Sequence, residues 1–160
     1  MKKLALKIGL DYHGVINERP GFFAEFTREA AKRGHEIHII TGGPYEVVKN
    51  LLEKQCITYH ELFAILDYYD AKGEVTYFEN GEYKIPDRLW DAAKAEYCSL
   101  HGINLHIDDS TDYVKWFTTP YCHYDNKEGN CTTENSFKVD FDGSPRQAVR
   151  DIEKIVSSVQ

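Results

Sequence analysis

The strongest structural signal in this chain is the run Leu6-Lys7-Ile8-Gly9-Leu10-Asp11-Tyr12-His13-Gly14-Val15-Ile16. Its first half is short and mostly apolar, which is typical of a strand buried inside a sheet, and it ends abruptly in the carboxylate of Asp11. Gly14 follows soon after, where the chain needs a residue that can turn sharply. The run therefore predicts a buried strand that delivers a reactive acid to the edge of a sheet.

Strand patterns alternate with helix patterns along the rest of the chain. The predicted elements are strands over 4–10, 36–40, 103–107 and near 121–124, and helices over 20–32, after Pro44, over 86–100 and from Pro145. Asn80-Gly81 lies between two short β-type runs and predicts a hairpin over 75–85. The segment 61–69 is predicted to be a helix, or a loop that leads into one.

This order of elements predicts an α/β protein. Strands that alternate with helices form a parallel sheet covered on both faces. We therefore expect a three-layer Rossmann-like fold: a central, mostly parallel sheet, helices on both faces and a small β-hairpin insertion. A chain of 160 residues suits one domain. The prediction is a single domain over 1–160, with a small flap or hairpin insertion around 59–85.

The composition argues against several classes of function. The formal net charge is −7 and no basic stripe is visible, so we expect no sequence-specific nucleic-acid binding. The apolar runs are too short to span a membrane, and Lys7, Gly9 and Asp11 interrupt the apolar start too early for a secretion signal. The four cysteines contain no Cys-x-x-Cys pair, which favours reduced thiols. The expected location is cytoplasmic.

Three of the predicted strands end in polar residues. Asp11, Thr41 and the pair Asp108-Asp109 each follow an apolar run directly. Ligands of open α/β sheets bind at the carboxyl ends of the strands, so we expect these side chains to meet at one edge. A carboxylate there can act as a nucleophile that forms an aspartyl-phosphate.

The remaining polar groups fit the same chemistry. Asp108, with Asp109 or Asp112 nearby, would hold a hard divalent cation such as Mg²⁺ through oxygen ligands. The Thr41 hydroxyl and the amides of Gly42 and Gly43 would donate hydrogen bonds to a phosphate at a helix N-terminus. A lysine is expected to complete the site by pairing with both the carboxylates and the phosphate.

At this point the chain resembles the haloacid dehalogenase superfamily of phosphohydrolases. The family's first motif, an apolar strand followed by Asp-x-Asp-Gly-Thr/Val, is similar to Asp11-Tyr12-His13-Gly14-Val15. Its second motif is a strand that ends in Thr or Ser, here Thr41, and its fourth is a strand that ends in an acidic pair, here Asp108-Asp109. Its third motif is a lone lysine, for which Lys94 fits best and Lys84 is the alternative. The resemblance covers roughly 4–113.

The resemblance implies a magnesium-dependent phosphomonoester phosphatase that works through an aspartyl-phosphate. Asp11 would be the nucleophile. The metal ligands it implies are Asp11, the backbone carbonyl of His13, and Asp108, supported by Asp109 or Asp112. The residues it implies for the phosphoryl group are Thr41, Gly42 and Lys94. The expected partner is a phosphorylated small molecule, nucleotides included.

His13 departs from the family's pattern. Phosphatases of the family usually carry a second aspartate there, which protonates the leaving oxygen and later activates water. Imidazole can perform both steps, although a nearby magnesium ion would disfavour its protonated form. The alternative is therefore a phosphate- or nucleotide-binding protein of the same fold with little or no turnover.

Two further expectations concern the surroundings of the site. The segments between the motifs leave no room for a cap domain, only for the flap around 59–85. The site is thus expected to be open to large substrates or to a partner, or to small ones that the hairpin covers. A separate zinc site from Cys122, His123 and Cys131 is a further alternative, although the spacing lacks a pair typical of zinc ligands.

Overall fold

A computed structural model describes residues 4–158 of the protein. The strands are β1 (Lys7–Leu10), β2 (Glu36–Thr41), β3 (Glu61–Ala64), β4 (Thr76–Tyr77), β5 (Tyr83–Lys84), β6 (Leu105–Asp108), β7 (Tyr121–Asp125), β8 (Asn130–Thr133) and β9 (Lys138–Asp140). The helices are α1 (Pro20–Lys32), α2 (Tyr45–Lys54), α3 (Ile65–Ala71), α4 (Asp87–Leu100) and α5 (Pro145–Ser158).

The predicted α/β fold is confirmed. A central seven-stranded sheet has the order β3-β2-β1-β6-β7-β8-β9. The pairs from β3 to β7 are parallel, and the last two pairs, β7–β8 and β8–β9, are antiparallel. Helices flank this sheet and the small hairpin β4–β5 stands apart from it, as a Rossmann-like arrangement with a hairpin insertion requires.

The central strands are buried because their side chains face helices on both sides. Ile8 and Leu10 of β1 are fully buried, as are Ile37 and Ile39 of β2. On one face they pack into a cluster with aromatic residues of α1 and of the β9–α5 region: Phe22, Phe23, Phe26 and Phe141. Burying this much aromatic and aliphatic surface supplies the main driving force for folding.

Polar contacts fix α5 at both ends. The Ser144 hydroxyl accepts a hydrogen bond from the Gln147 amide at 3.2 Å, which is the usual contact of an N-cap residue. Farther along, Glu153 accepts hydrogen bonds from Arg33 at 2.6 Å and from His35 at 2.7 Å. The Nδ1 atom of His35 accepts a hydrogen bond from the Leu6 amide. The proton of the ring is therefore on Nε2, which donates the hydrogen bond to Glu153. Burial acts to raise the pKa of Glu153, but these two donors outweigh it and lower that pKa.

The structure differs from the sequence-based expectations in three strands. The start of segment 61–69 is not helical: β3 pairs in parallel with β2 at the edge of the central sheet, and α3 begins only at Ile65. The antiparallel strands β8 and β9 had no counterpart among the predicted elements. All three are short and only partly buried, so they lack the long apolar pattern that identifies a central strand.

The predicted hairpin is confirmed as β4–β5, with Tyr77 opposite Tyr83 and Gly81 in the left-handed region at φ +87°. It occupies only the second half of the segment 59–85, because β3 belongs to the central sheet. Within residues 4–158, no helix is both long enough and apolar enough to cross a membrane.

Candidate active site

The polar ends of three neighbouring strands converge at one edge of the sheet. Asp11 follows β1, Thr41 ends β2 and Asp108 ends β6, and β1 pairs in parallel with both of the others. Asp11 and Asp108 line a cavity of about 310 Å³ at this edge. The parallel arrangement is what brings these side chains together, since it directs the carboxyl ends of all three strands the same way.

Lys94 lies between the two aspartates. Its Nζ is 3.0 Å from Oδ1 of Asp11 and 2.8 Å from Oδ2 of Asp108. Lys94 belongs to the buried face of α4, which packs over the strand ends. The alternative lysine, Lys84, is exposed on the hairpin and pairs instead with Asp87 at 2.6 Å. Of the two candidates, only Lys94 therefore contacts the carboxylates.

Asp11 and Asp108 both contact the Lys94 ammonium, but their pKa values shift in opposite directions. Burial acts to raise the pKa of Asp108, but the charge of Lys94 and a hydrogen bond from His106 hold it well below the ordinary value. Burial raises the pKa of Asp11; the charge of Lys94 offsets this effect only in part, and the charge of Asp108 adds to it. The charge of Asp11 is thus less well compensated by its neighbours than the charge of Asp108.

Asp109 completes an acidic group that could hold a metal ion. One oxygen each from Asp11, Asp108 and Asp109 lie within 4.8 Å of one another. Carboxylate oxygens are the donors that Mg²⁺ and Ca²⁺ prefer, so the donor set fits a hard divalent cation. Asp112, the alternative to Asp109, is exposed and lies outside this group.

Gly14 allows Asp109 to approach the loop that follows β1. A Cβ atom on Gly14 would lie 2.2 Å from Oδ2 of Asp109, and Gly14 adopts φ +87°. The Gly14 amide donates to Asn17 and its carbonyl accepts from Asn126. The glycine of the first motif thus has a steric role beside its role in the turn.

The predicted phosphate-binding loop adjoins the same cavity. Gly42 and Gly43 line it, whereas Thr41 is fully buried and is not one of the lining residues. The Thr41 hydroxyl accepts a hydrogen bond from the Gly43 amide at 3.4 Å, and the Gly42 carbonyl accepts one from Leu66. Thr41 therefore holds the loop beneath the cavity, and the two glycines form its surface.

His13 is exposed at the mouth of the cavity. Its ring makes an edge-to-face contact with Tyr12, with 5.1 Å between ring centroids. Across residues 4–158 its imidazole has no hydrogen-bond partner. The side chain can therefore reach a ligand in the cavity, but no hydrogen bond fixes the orientation of its ring.

Sequence reasoning missed two contributors to the site. His106 is fully buried and its Nε2 lies 3.0 Å from Oδ2 of Asp108. A signal for it existed, because residues two apart on a strand share a face and His106 precedes Asp108 by two. Trp90 of α4 is the second contributor and lines the cavity. The sequence carried no signal for this, because α4 contacts the strand ends only in the folded protein.

The three residues of the alternative zinc site, Cys122, His123 and Cys131, do not form a metal-binding cluster within residues 4–158. Cys122 and Cys131 are buried in the apolar core, while His123 donates to the Asp109 carbonyl at 3.0 Å. Within the described chain, 4–158, the acidic group of Asp11, Asp108 and Asp109 is the only set of three or more metal-binding side chains in range of one another.

Chemically, the site offers a carboxylate held by an ammonium group, two further carboxylates and a glycine loop around one cavity. Such a set can bind a cation together with an anion, and it can present Asp11 to an electrophile. Comparisons of the chain with protein-family models, with curated proteins and with solved structures found no match.

Proposed function

We propose that this protein is a magnesium-dependent phosphohydrolase of the haloacid dehalogenase type, acting on phosphomonoesters of small molecules through an aspartyl-phosphate. The observation that carries the proposal is the contact of Lys94 with both Asp11 and Asp108 in a cavity that the Gly42-Gly43 loop also lines. A lone acidic cluster could be an ordinary solvated surface. A buried lysine that bridges two strand-end aspartates beside a glycine loop matches a phosphoryl site.

Asp11 is suited to the role of nucleophile. Its Oδ1 accepts a hydrogen bond from the Tyr12 amide and lies 3.0 Å from the Lys94 ammonium, and neither contact uses Oδ2. An oxygen of Asp11 attacks phosphorus, the bond from phosphorus to the ester oxygen breaks, and the departing oxygen takes a proton from His13. Water then gives a proton back to His13 and attacks phosphorus of the aspartyl-phosphate, which releases inorganic phosphate and restores the Asp11 carboxylate.

The charge of the site explains the need for magnesium. Three carboxylates face the cavity and one ammonium, Lys94, offsets them, so an anionic phosphate would be repelled. Asp11, Asp108 and Asp109 would hold Mg²⁺, which supplies positive charge and polarises the phosphoryl oxygens. Lys94 keeps the carboxylates in place, and the Gly42 amide can donate to the phosphate, whereas the Gly43 amide already donates to the Thr41 hydroxyl.

The direct test measures phosphate released from p-nitrophenyl phosphate in the presence and absence of Mg²⁺. Asp11→Asn should lower kcat on the order of 10³-fold or more, since it removes the nucleophile. Asp112→Asn is the matched control: it removes an exposed carboxylate outside the cluster and should leave kcat unchanged. Wild-type activity in Asp11→Asn would eliminate the assigned nucleophile.

A second candidate is a phosphate-binding protein of the same fold with little turnover. The exposed and unsupported imidazole of His13 favours it, because an effective acid must be positioned at the leaving oxygen. The variant His13→Asp separates the two candidates. If His13 already transfers the proton, the change should leave kcat similar or lower it. If the acid is missing, kcat should rise by about 10²-fold or more.

A further inference from the structure

Three aromatic side chains from separate segments line the same cavity as Asp11 and Lys94. Tyr83 comes from β5 of the hairpin, Trp90 from the first half of α4, and Tyr113 from the loop that follows β6. These three side chains converge on the cavity that the phosphate site occupies, and a cluster of partly exposed aromatic residues around one cavity is typical of a ligand-binding site. The cavity therefore has a polar side formed by Asp11 and Lys94 and an aromatic wall formed by Tyr83, Trp90 and Tyr113.

The indole of Trp90 is held at two points. Its Nε1 donates a hydrogen bond to the Tyr113 hydroxyl at 3.2 Å. At the other end of the ring, a Cβ atom on Gly42 would lie only 2.9 Å from Trp90 Cη2, so the absence of a side chain at Gly42 makes room for the indole. Trp90 also packs against the apolar cluster that contains Ile65. A ring fixed in this way is a preorganised platform beside the glycine loop.

The charges limit how much phosphate the cavity accepts. Lys94 is the only lysine or arginine among its lining residues, against the carboxylates of Asp11, Asp108 and Asp109. One divalent cation would neutralise the net negative charge of these four side chains. The cavity could then accept one phosphoryl group. A chain of two or three phosphates would lack cationic partners.

We propose that the ligand is a phosphomonoester of a planar aromatic group, a nucleoside monophosphate, with its base stacked on Trp90. The proposal rests on the proposed function for the phosphate half of the site. A volume of about 310 Å³ lies within the range of small-molecule pockets. Stacking of a base on an aromatic side chain changes affinity by about 10- to 100-fold when the side chain is removed.

The test compares adenosine 5′-monophosphate with ribose 5-phosphate. Both esters join phosphate to the same primary carbon, so their phosphoryl chemistry is equal and only the base differs. With Mg²⁺ present, kcat/KM for the nucleotide should exceed that for the sugar phosphate by about 10-fold or more. Trp90→Ala should abolish most of this preference, and Trp90→Phe should keep most of it. Phe137→Ala, which removes an exposed aromatic residue outside the cavity, should leave it intact.

Different outcomes overturn different claims. Equal kcat/KM for the two esters in the wild type would contradict the stacking of the base on Trp90, and so would a preference that survives Trp90→Ala. Neither result would contradict the phosphatase activity. If neither ester nor p-nitrophenyl phosphate is hydrolysed, the proposed hydrolysis fails. Equilibrium dialysis with Mg²⁺ then tests the stacking of the base on Trp90 separately. Tighter binding of the nucleotide than of ribose 5-phosphate, lost in Trp90→Ala, would support stacking. Equal binding of the two esters would contradict it.

Discussion

Lys94→Met should strongly destabilise the protein at neutral pH. The Lys94 ammonium lies 2.8 Å from Asp108 and 3.0 Å from Asp11, and all three residues are buried. At an effective dielectric constant of about 20, the contact with Asp108 alone is worth roughly 6 kcal/mol. Removing the ammonium also removes its own burial cost of several kcal/mol, and deletion of one partner of a buried pair costs about 3–5 kcal/mol. We therefore expect the free energy of unfolding to fall by about 3–5 kcal/mol.

Urea denaturation followed by circular dichroism measures this loss. With a slope of about 2 kcal/mol per molar urea, the midpoint at pH 7 should fall by roughly 1.5–2.5 M. Lys84→Met, which removes an exposed lysine paired with exposed Asp87, should cause no measurable shift.

The pH dependence of the difference between wild type and Lys94→Met gives an independent check. The pKa of Asp108 is lowered in the folded protein, so its contribution to stability is present above the ordinary aspartate pKa and disappears as the pH falls. The difference should therefore shrink in acid. A loss under about 1 kcal/mol at pH 7, or a difference that widens as the pH falls, would refute the charged arrangement of Lys94 with its two aspartates.

Three further variants test other parts of the structure. Gly14→Ala should cost at least about 1 kcal/mol and reduce magnesium-dependent activity, because the new Cβ would collide with Asp109; thermal unfolding and the phosphatase assay measure both effects. Glu153→Gln should cost about 1 kcal/mol at pH 7, and because the pKa of Glu153 is lowered, the difference measured in urea titrations should be lost only as the pH falls through this lowered pKa. Tyr124→Phe should be neutral or stabilising by urea denaturation, since its buried hydroxyl has no hydrogen-bond partner within residues 4–158; a loss above about 1 kcal/mol would contradict this.

The candidate site was predictable where its residues follow strands. A buried strand of a parallel sheet has a continuous apolar pattern, and the residue after it must lie at the carboxyl edge. That rule by itself indicates Asp11, Thr41 and Asp108. The rule does not apply to Lys94, which lies in a helix. A lysine in the middle of a helix has no local feature that distinguishes a buried side chain from a solvated one.

Local sequence patterns are enough to predict the alternation of strands and helices, the hairpin and the strand-end aspartates, because periodicity and turn residues act over a few neighbouring positions. Long-range packing places Lys94, rather than Lys84, in contact with Asp11 and Asp108, and it places Trp90 against Gly42. It also makes β3 an edge strand of the sheet. Such contacts join residues far apart in the chain, and they depend on how helices pack over the strand ends rather than on any local pattern.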